Sequence, residues 1–186
     1  MPAPTRRPPL PVLIAIALPL LLAVVVAGIG LTARFSEPAA PGPDTSPLAT
    51  PPVEAPAASG PECTALLARL DGDLPAGDAT LPVRPLADPA PAGVRAWAAV
   101  PRPVVLRCGL PRPQELTPTS ALLEIDGVQW LELDDGVPEP VVVTYVAVDR
   151  PVYVVLTTPV DAGSGPLQAV SGVVRDTLPA TPVAVR

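Results

Sequence analysis

Leu122-Leu-Glu-Ile-Asp-Gly-Val-Gln-Trp-Leu-Glu-Leu133 reads as a β-hairpin, and the rest of the chain can be ordered around it. Two runs of strand-forming residues flank Asp126-Gly127, the pair favoured in a two-residue turn. Pairing across that turn sets Ile125 opposite Val128 and Leu123 opposite Trp130, so four apolar side chains share one side of the ribbon. Trp130 is therefore expected in a core.

Three further runs have strand composition. Val104-Val-Leu-Arg-Cys108 is bounded by Pro103 and Gly109, while Val141 to Val148 and Val152 to Thr157 are rich in β-branched residues and joined by Asp149-Arg150-Pro151. The second pair has so little alternation that it reads as covered on both faces. Before these strands, Ser59-Gly-Pro-Glu62 has the form of a capping box opening a short helix to about Leu70. Asp71 to Pro91 reads as loop, with Pro75, Pro82, Pro85, Pro89 and Pro91, and a helical turn is expected around Gly93 to Ala99. Leu167, Val170, Val174 and Leu178 then recur at spacings of three and four, the pattern of an amphipathic helix from Pro166 to Leu178 lying on the sheet. The expected fold is α+β: about five mostly antiparallel strands flanked by an N-terminal and a C-terminal helix, over residues 62–186. A domain of about 125 residues buries roughly two-thirds of its surface, enough for an independent core.

Upstream the chain changes character. Between Arg7 and Arg34 there is no charge, and Val12 to Leu31 alone would span about 30 Å as a helix, the thickness of a bilayer core. The run is longer than a cleavable leader needs and lacks a small-x-small site, so a signal anchor is expected over 12–33. No Cys lies near its end to accept a lipid. Arg6 and Arg7 precede the span and only Arg34 follows closely, which places residues 1–11 in the cytoplasm and the remainder outside the cell membrane. Residues 34–61, rich in Pro and Ala, read as a linker; at about 3 Å per residue it would reach about 80 Å.

Composition excludes more than it identifies. The 186 residues include 31 Pro and no His, and the 12 basic residues, all Arg, stand against 18 acids for a net charge of −6. Lys is absent, so schemes built on an imidazole or an ammonium base have no residues to use. Nine Arg scattered among 15 acids over residues 62–186 form no basic stripe, which argues against nucleic acid as a partner.

Cys63 and Cys108, outside the membrane, are expected as a disulfide; they lack the Cys-x-x-Cys spacing of a redox pair, and two thiols without His make a poor metal site. Asp71, Asp73 and Asp78 do not match the ligand spacing of a calcium loop, and no metal or cofactor is expected. Glu132, Asp134 and Asp135 supply carboxylates of the kind a glycoside hydrolase pairs. Arg107 interrupts an apolar strand; outward-facing alternation explains it, and with Arg102 and Arg112 nearby in sequence it would otherwise form a small anion-binding group.

Trp97-Ala-Ala-Val-Pro-Arg-Pro-Val-Val-Leu-Arg-Cys-Gly109, then Pro111-Arg-Pro113 and Asp126-Gly-Val-Gln-Trp130, resembles a family of small membrane-anchored actinobacterial proteins known as a domain of unknown function. The most specific pieces are Leu-Arg-Cys-Gly at 106–109 and Gly-Val-x-Trp at 127–130; the family pattern has Gly where this chain has Ala98. The resemblance implies an envelope location and carries across no cofactor or catalytic residue. The leading expectation is a non-enzymatic envelope protein that binds another protein or a wall component, with Trp97, Arg102, Arg107 and Arg112 as contacts. A carboxylate-dependent hydrolase of wall glycan is the alternative.

Overall fold

The computed structural model describes residues 18–28, 42–134 and 136–185. They fall in two compact units, residues 1–41 and 42–186. In the first, residues 18–28 are helical. Among the described residues no helix is long and apolar enough to cross a membrane, and much of the expected span over 12–33 lies outside them.

The second unit is α+β. Helix α1 (Pro61–Arg69) precedes a two-stranded ribbon, β1 (Leu74–Ala76) and β2 (Ala79–Leu81). Seven strands follow: β3 (Val83–Arg84), β4 (Val94–Trp97), β5 (Val104–Leu110), β6 (Leu122–Ile125), β7 (Val128–Leu133), β8 (Val142–Ala147) and β9 (Tyr153–Pro159). They form one antiparallel sheet in the order β3-β4-β5-β9-β8-β7-β6, and α2 (Gly165–Thr177) closes the unit.

The hairpin forms as its sequence dictates. Asp126 and Gly127 both take positive φ, 51° and 74°, and Leu123 pairs with Trp130 and Ile125 with Val128. Its helix-side face joins the main core. There Cys63, Leu66 and Leu70 from α1 and Leu167, Val170 and Val174 from α2 cover Leu106, Trp130, Val154 and Leu156. The indole N–H of Trp130 donates to Ser171 Oγ at 2.9 Å, and that hydroxyl donates to the Leu167 carbonyl at 2.7 Å, so a buried polar group is satisfied inside the helix contact. On the opposite face Leu116, Leu131, Val146 and Val148 make a second cluster, closed by Val183 from the C-terminal tail. Both faces are covered along most of β9 and at the Val146–Ala147 end of β8, while residues 142–145 of β8 are half-buried.

Four expectations need correction. Nine strands replace five among the described residues, because the proline-rich stretch holds β1, β2 and β3 and residues 94–97 form β4. Pro75 is tolerated there because a two-stranded ribbon leaves its missing N–H on an outer edge. The turn expected at 93–99 is β4, held in the extended state by pairing with β5. Helix α1 is capped by Gly60, with no side-chain capping bond, so Ser59 and Glu62 form no capping box.

The fourth correction concerns the linker over 34–61, whose second half belongs to the domain. Leu48 donates to the Pro85 carbonyl at 2.8 Å and accepts from Ala87 N–H at 2.9 Å, bridging Leu86 in parallel. Arg84, 8% exposed, donates to the Ser46 carbonyl and to the Asp44 carboxylate at 2.6 Å. Ala57 N–H donates to the Gly109 carbonyl at 3.1 Å. Residues 44–48 thereby cover the β3 end of the sheet, and the reach of a free spacer over 34–61 is lost.

Candidate functional site

Cys63 and Cys108 form the expected disulfide, joining α1 to β5 across 45 positions, with neither residue exposed. Strand β5 is built around it. Leu106 and Cys108 face the main core, so Arg107 faces the other way, as outward alternation requires. Gly109 follows with φ 86°, and a Cβ there would lie 2.3 Å from Ala58 N and 2.4 Å from Ala57 C. Leu-Arg-Cys-Gly is thus the crossing point of residues 57–58 over the strand end. Gly-Val-x-Trp combines the hairpin turn, a buried Val128 and the Trp130–Ser171 bond. Both strings hold the fold.

The four contact residues expected from sequence do not come together. Trp97 has no exposed surface, and its indole N–H donates to the Gly72 carbonyl at 2.9 Å, which makes it a core residue. Arg112 ties down the tail: its Nε donates to the Ala184 carbonyl at 2.9 Å and its Nη2 to the Leu116 carbonyl. Arg102 is exposed beside Pro103, Glu139 and Val141. Arg107 lines a separate small cavity with Pro52, Val53, Pro91 and Leu110, where burial lowers the pKa of its guanidinium. The three Arg form no common anion site.

The acids are also dispersed. Asp73 accepts from Val83 N–H at 3.0 Å, shaping the loop before β3. Among the described residues no group of three or more Cys, Asp or Glu side chains converges as metal ligands do. Glu132 and Asp134 share a face of β7 and its continuation and line one cavity; Asp135 lies outside the described residues.

That cavity belongs to a groove that sequence reasoning missed. It lies on the helix-side face, between the start of α2 and strands β6 and β8. Leu123, Ile125, Val143, Tyr145 and Leu167 line a space of about 310 Å³ there. Leu123 and Val143 also wall a second space of about 350 Å³, closed by Leu133, Val137 and Pro140 and carrying Glu132 and Asp134. On the other side Gly163 and Ser164 lead into an open hollow of about 700 Å³ containing Asp161. Every formally charged side chain lining these three spaces is acidic.

Tyr145 stands opposite Glu132 in the β7–β8 register. Burial raises the phenol above its ordinary pKa, and the Glu132 carboxylate raises it further, so Tyr145 offers a neutral hydroxyl within the groove. Asp134 Oδ1 accepts from Gly136 N–H at 2.8 Å and shapes its own loop. The arrangement provides an apolar floor, a phenol and carboxylates: it can hold a ligand with apolar and cationic parts. The signal was hard to see because Leu123, Val143 and Tyr145 come from separate strands with ordinary strand composition.

No curated protein and no solved structure matches the chain. A family model described as Protein of unknown function (DUF3515) matches residues 14–183, and the chain belongs to that family.

Proposed function

We propose that the chain is a single-pass cell-envelope protein, anchored by its N-terminal apolar segment, whose domain over 42–186 lies outside the membrane and binds an envelope partner without catalysis. The groove on the helix-side face carries the binding reading, because it is shaped, apolar at its floor and charged at its wall. Two further observations support the location. The Cys63–Cys108 disulfide is a bond that persists in oxidising compartments. In the N-terminal unit Leu18, Leu20, Leu21, Leu22, Val24 and Val26 each leave 60% or more of their surface exposed, an apolar surface that favours lipid.

Intact mass on protein extracted from its native membrane under thiol-blocking conditions, with protease shaving of the unbroken cells, tests the reading. The expected result is an uncleaved chain, two hydrogen masses below the reduced form, whose domain is digested from outside. Free thiols that take the blocking label, or a domain protected from external protease, would overturn it.

A second reading, hydrolysis of wall glycan, is favoured only by the presence of Glu132 and Asp134 in one cavity. It requires that Glu132→Gln or Asp134→Asn abolish turnover of purified wall glycan by the folded protein. The absence of turnover by the unaltered chain would remove it.

A further inference from the structure

We infer that the β6 edge and the groove beside it form a docking site for an extended, basic peptide segment of another protein, which adds as an eighth strand to the sheet. The inference deepens the binding function proposed above and rests on it. Three observations point to this occupant.

The two edges of the sheet are treated differently. The β3 edge is covered by residues 44–48, pinned by Arg84 and by the Leu48 bridge. Strand β6 ends the sheet on the other side, and among the described residues nothing pairs with its outer edge. Alternate residues of an antiparallel strand turn their N–H and C=O groups away from the partner strand, so β6 presents backbone groups to an incoming chain.

The floor beside that edge is apolar and accessible. Leu123 is 43% exposed although it stands opposite the fully buried Trp130. A strand added to β6 would place every second side chain over Leu123 and Ile125, towards the space that Val143, Tyr145 and Leu167 complete. Apolar side chains fit these positions.

Charge selects the partner. Glu132 and Asp134 line the groove, and β6 itself carries Glu124, whose carboxylate accepts from Gln129 at 3.0 Å. Asp126 follows in the turn. A second copy pairing β6 with β6 would bring these carboxylates against their own equivalents, which disfavours self-association. A segment that turns its apolar residues towards Leu123 and Ile125 turns the alternate ones to the face of Glu124, where Arg or Lys meets that carboxylate with opposite charge.

The test uses the full-length, isotopically labelled chain in detergent micelles and two short synthetic peptides, one alternating Val with Arg and one alternating Val with Glu. The basic peptide is expected to shift the amides of residues 121–125 and 132–134 and to bind at least tenfold more tightly at low salt, with the preference weakening as salt rises. Glu124→Arg is expected to lower its affinity at least tenfold, and Leu123→Arg, at a position already open to solvent, to lower it similarly. Near-ultraviolet circular dichroism of the two buried indoles, Trp97 and Trp130, verifies that both variants fold. Equal affinity for the two peptides, shifts mapping elsewhere, or no binding of the basic peptide at millimolar concentration would overturn the inference. So would concentration-dependent dimerisation mapping to β6, which assigns the edge to a second copy. The titration is indifferent to membrane topology, so failure of the envelope location and failure of the docking site are separate results.

Discussion

At Gly109 a single missing methyl group decides whether the chain closes. Its φ of 86° disfavours any residue with a Cβ, and the space such an atom would occupy holds the backbone of Ala57 and Ala58 at 2.3 to 2.7 Å. Backbone cannot rotate aside as a side chain does. Gly109→Ala is therefore expected to lower stability by about 2 to 4 kcal/mol, combining left-handed strain with overpacking. Gly136→Ala is the control: φ is 71° there, but nothing lies within 4 Å of the added atom, so only the conformational cost of about 1 to 2 kcal/mol remains. Urea unfolding of the two variants separates the terms, and equal losses would remove the close approach as the reason for the glycine. The comparison also explains what was legible at this scale. Gly109 stood out in sequence as part of a motif, yet its partner, fifty positions upstream in a run of Ala and Pro, carried no mark of the contact. Trp97 is hidden for a similar reason: an indole in a short segment of small residues reads as a contact residue until the Gly72 carbonyl that satisfies it is known.

Elements were legible where they carried their own pattern and hidden where a neighbour imposed the state. The β6–β7 hairpin, the β8–β9 pair and α2 declare themselves, because turn chemistry, β-branched runs and a 3.6-residue period are local properties. Strand β4 has four residues, Val94 to Trp97, too few to distinguish the two periods, and β5 decides the outcome. The segment over 44–48 has no pattern at all and is held by the Arg84 side chain of β3 and by the backbone bonds of Leu48. Asp44 is exposed, and its pKa is lowered first by hydrogen bonds from Ser46 and then by the charge of Arg84. A carboxyl group whose folded pKa is depressed contributes stability above its ordinary pKa, and the contribution is lost as pH falls through the lowered folded value. The Ser46 and Leu48 amide resonances are thus expected to shift together on acidification, with a midpoint below the ordinary carboxylate range, while the β8–β9 amides stay fixed. Asp44→Asn should abolish that step. A midpoint at or above the ordinary range would mean that Asp44 does not hold the segment.

For the whole domain, the question is what keeps the proline-rich N-terminal third attached to a sheet that is otherwise self-sufficient. Helix α1 has nine residues, too short to persist alone in water, and it contributes Cys63, Leu66 and half-buried Leu67 to the main core, with Leu70 at its C-cap. The chain from 71 to 93 crosses as short strands with few large apolar side chains. Its docking therefore leans on the Cys63–Cys108 bond, which closes a loop of 45 residues and joins α1 to β5 next to the Gly109 crossing. On the chain-entropy estimate such a closure is worth about 4 kcal/mol, against about 5 to 15 for a typical domain. Substituting both residues, Cys63→Ala with Cys108→Ala, removes the cross-link and a little buried sulfur but leaves no unpaired polar group. The variant is expected to lose about 4 kcal/mol in urea unfolding, with a steeper denaturant dependence because the unlinked unfolded chain exposes more surface. Hydrogen exchange should quicken most in α1 and over 44–58, and least in β8 and β9, whose pairing does not depend on the bond. A loss below about 1 kcal/mol would mean that the unfolded chain already holds this loop closed, a recognised failure of the entropic account. Uniform acceleration across the sheet would instead make the bond a support of the entire core, and the N-terminal third a cooperative part of it.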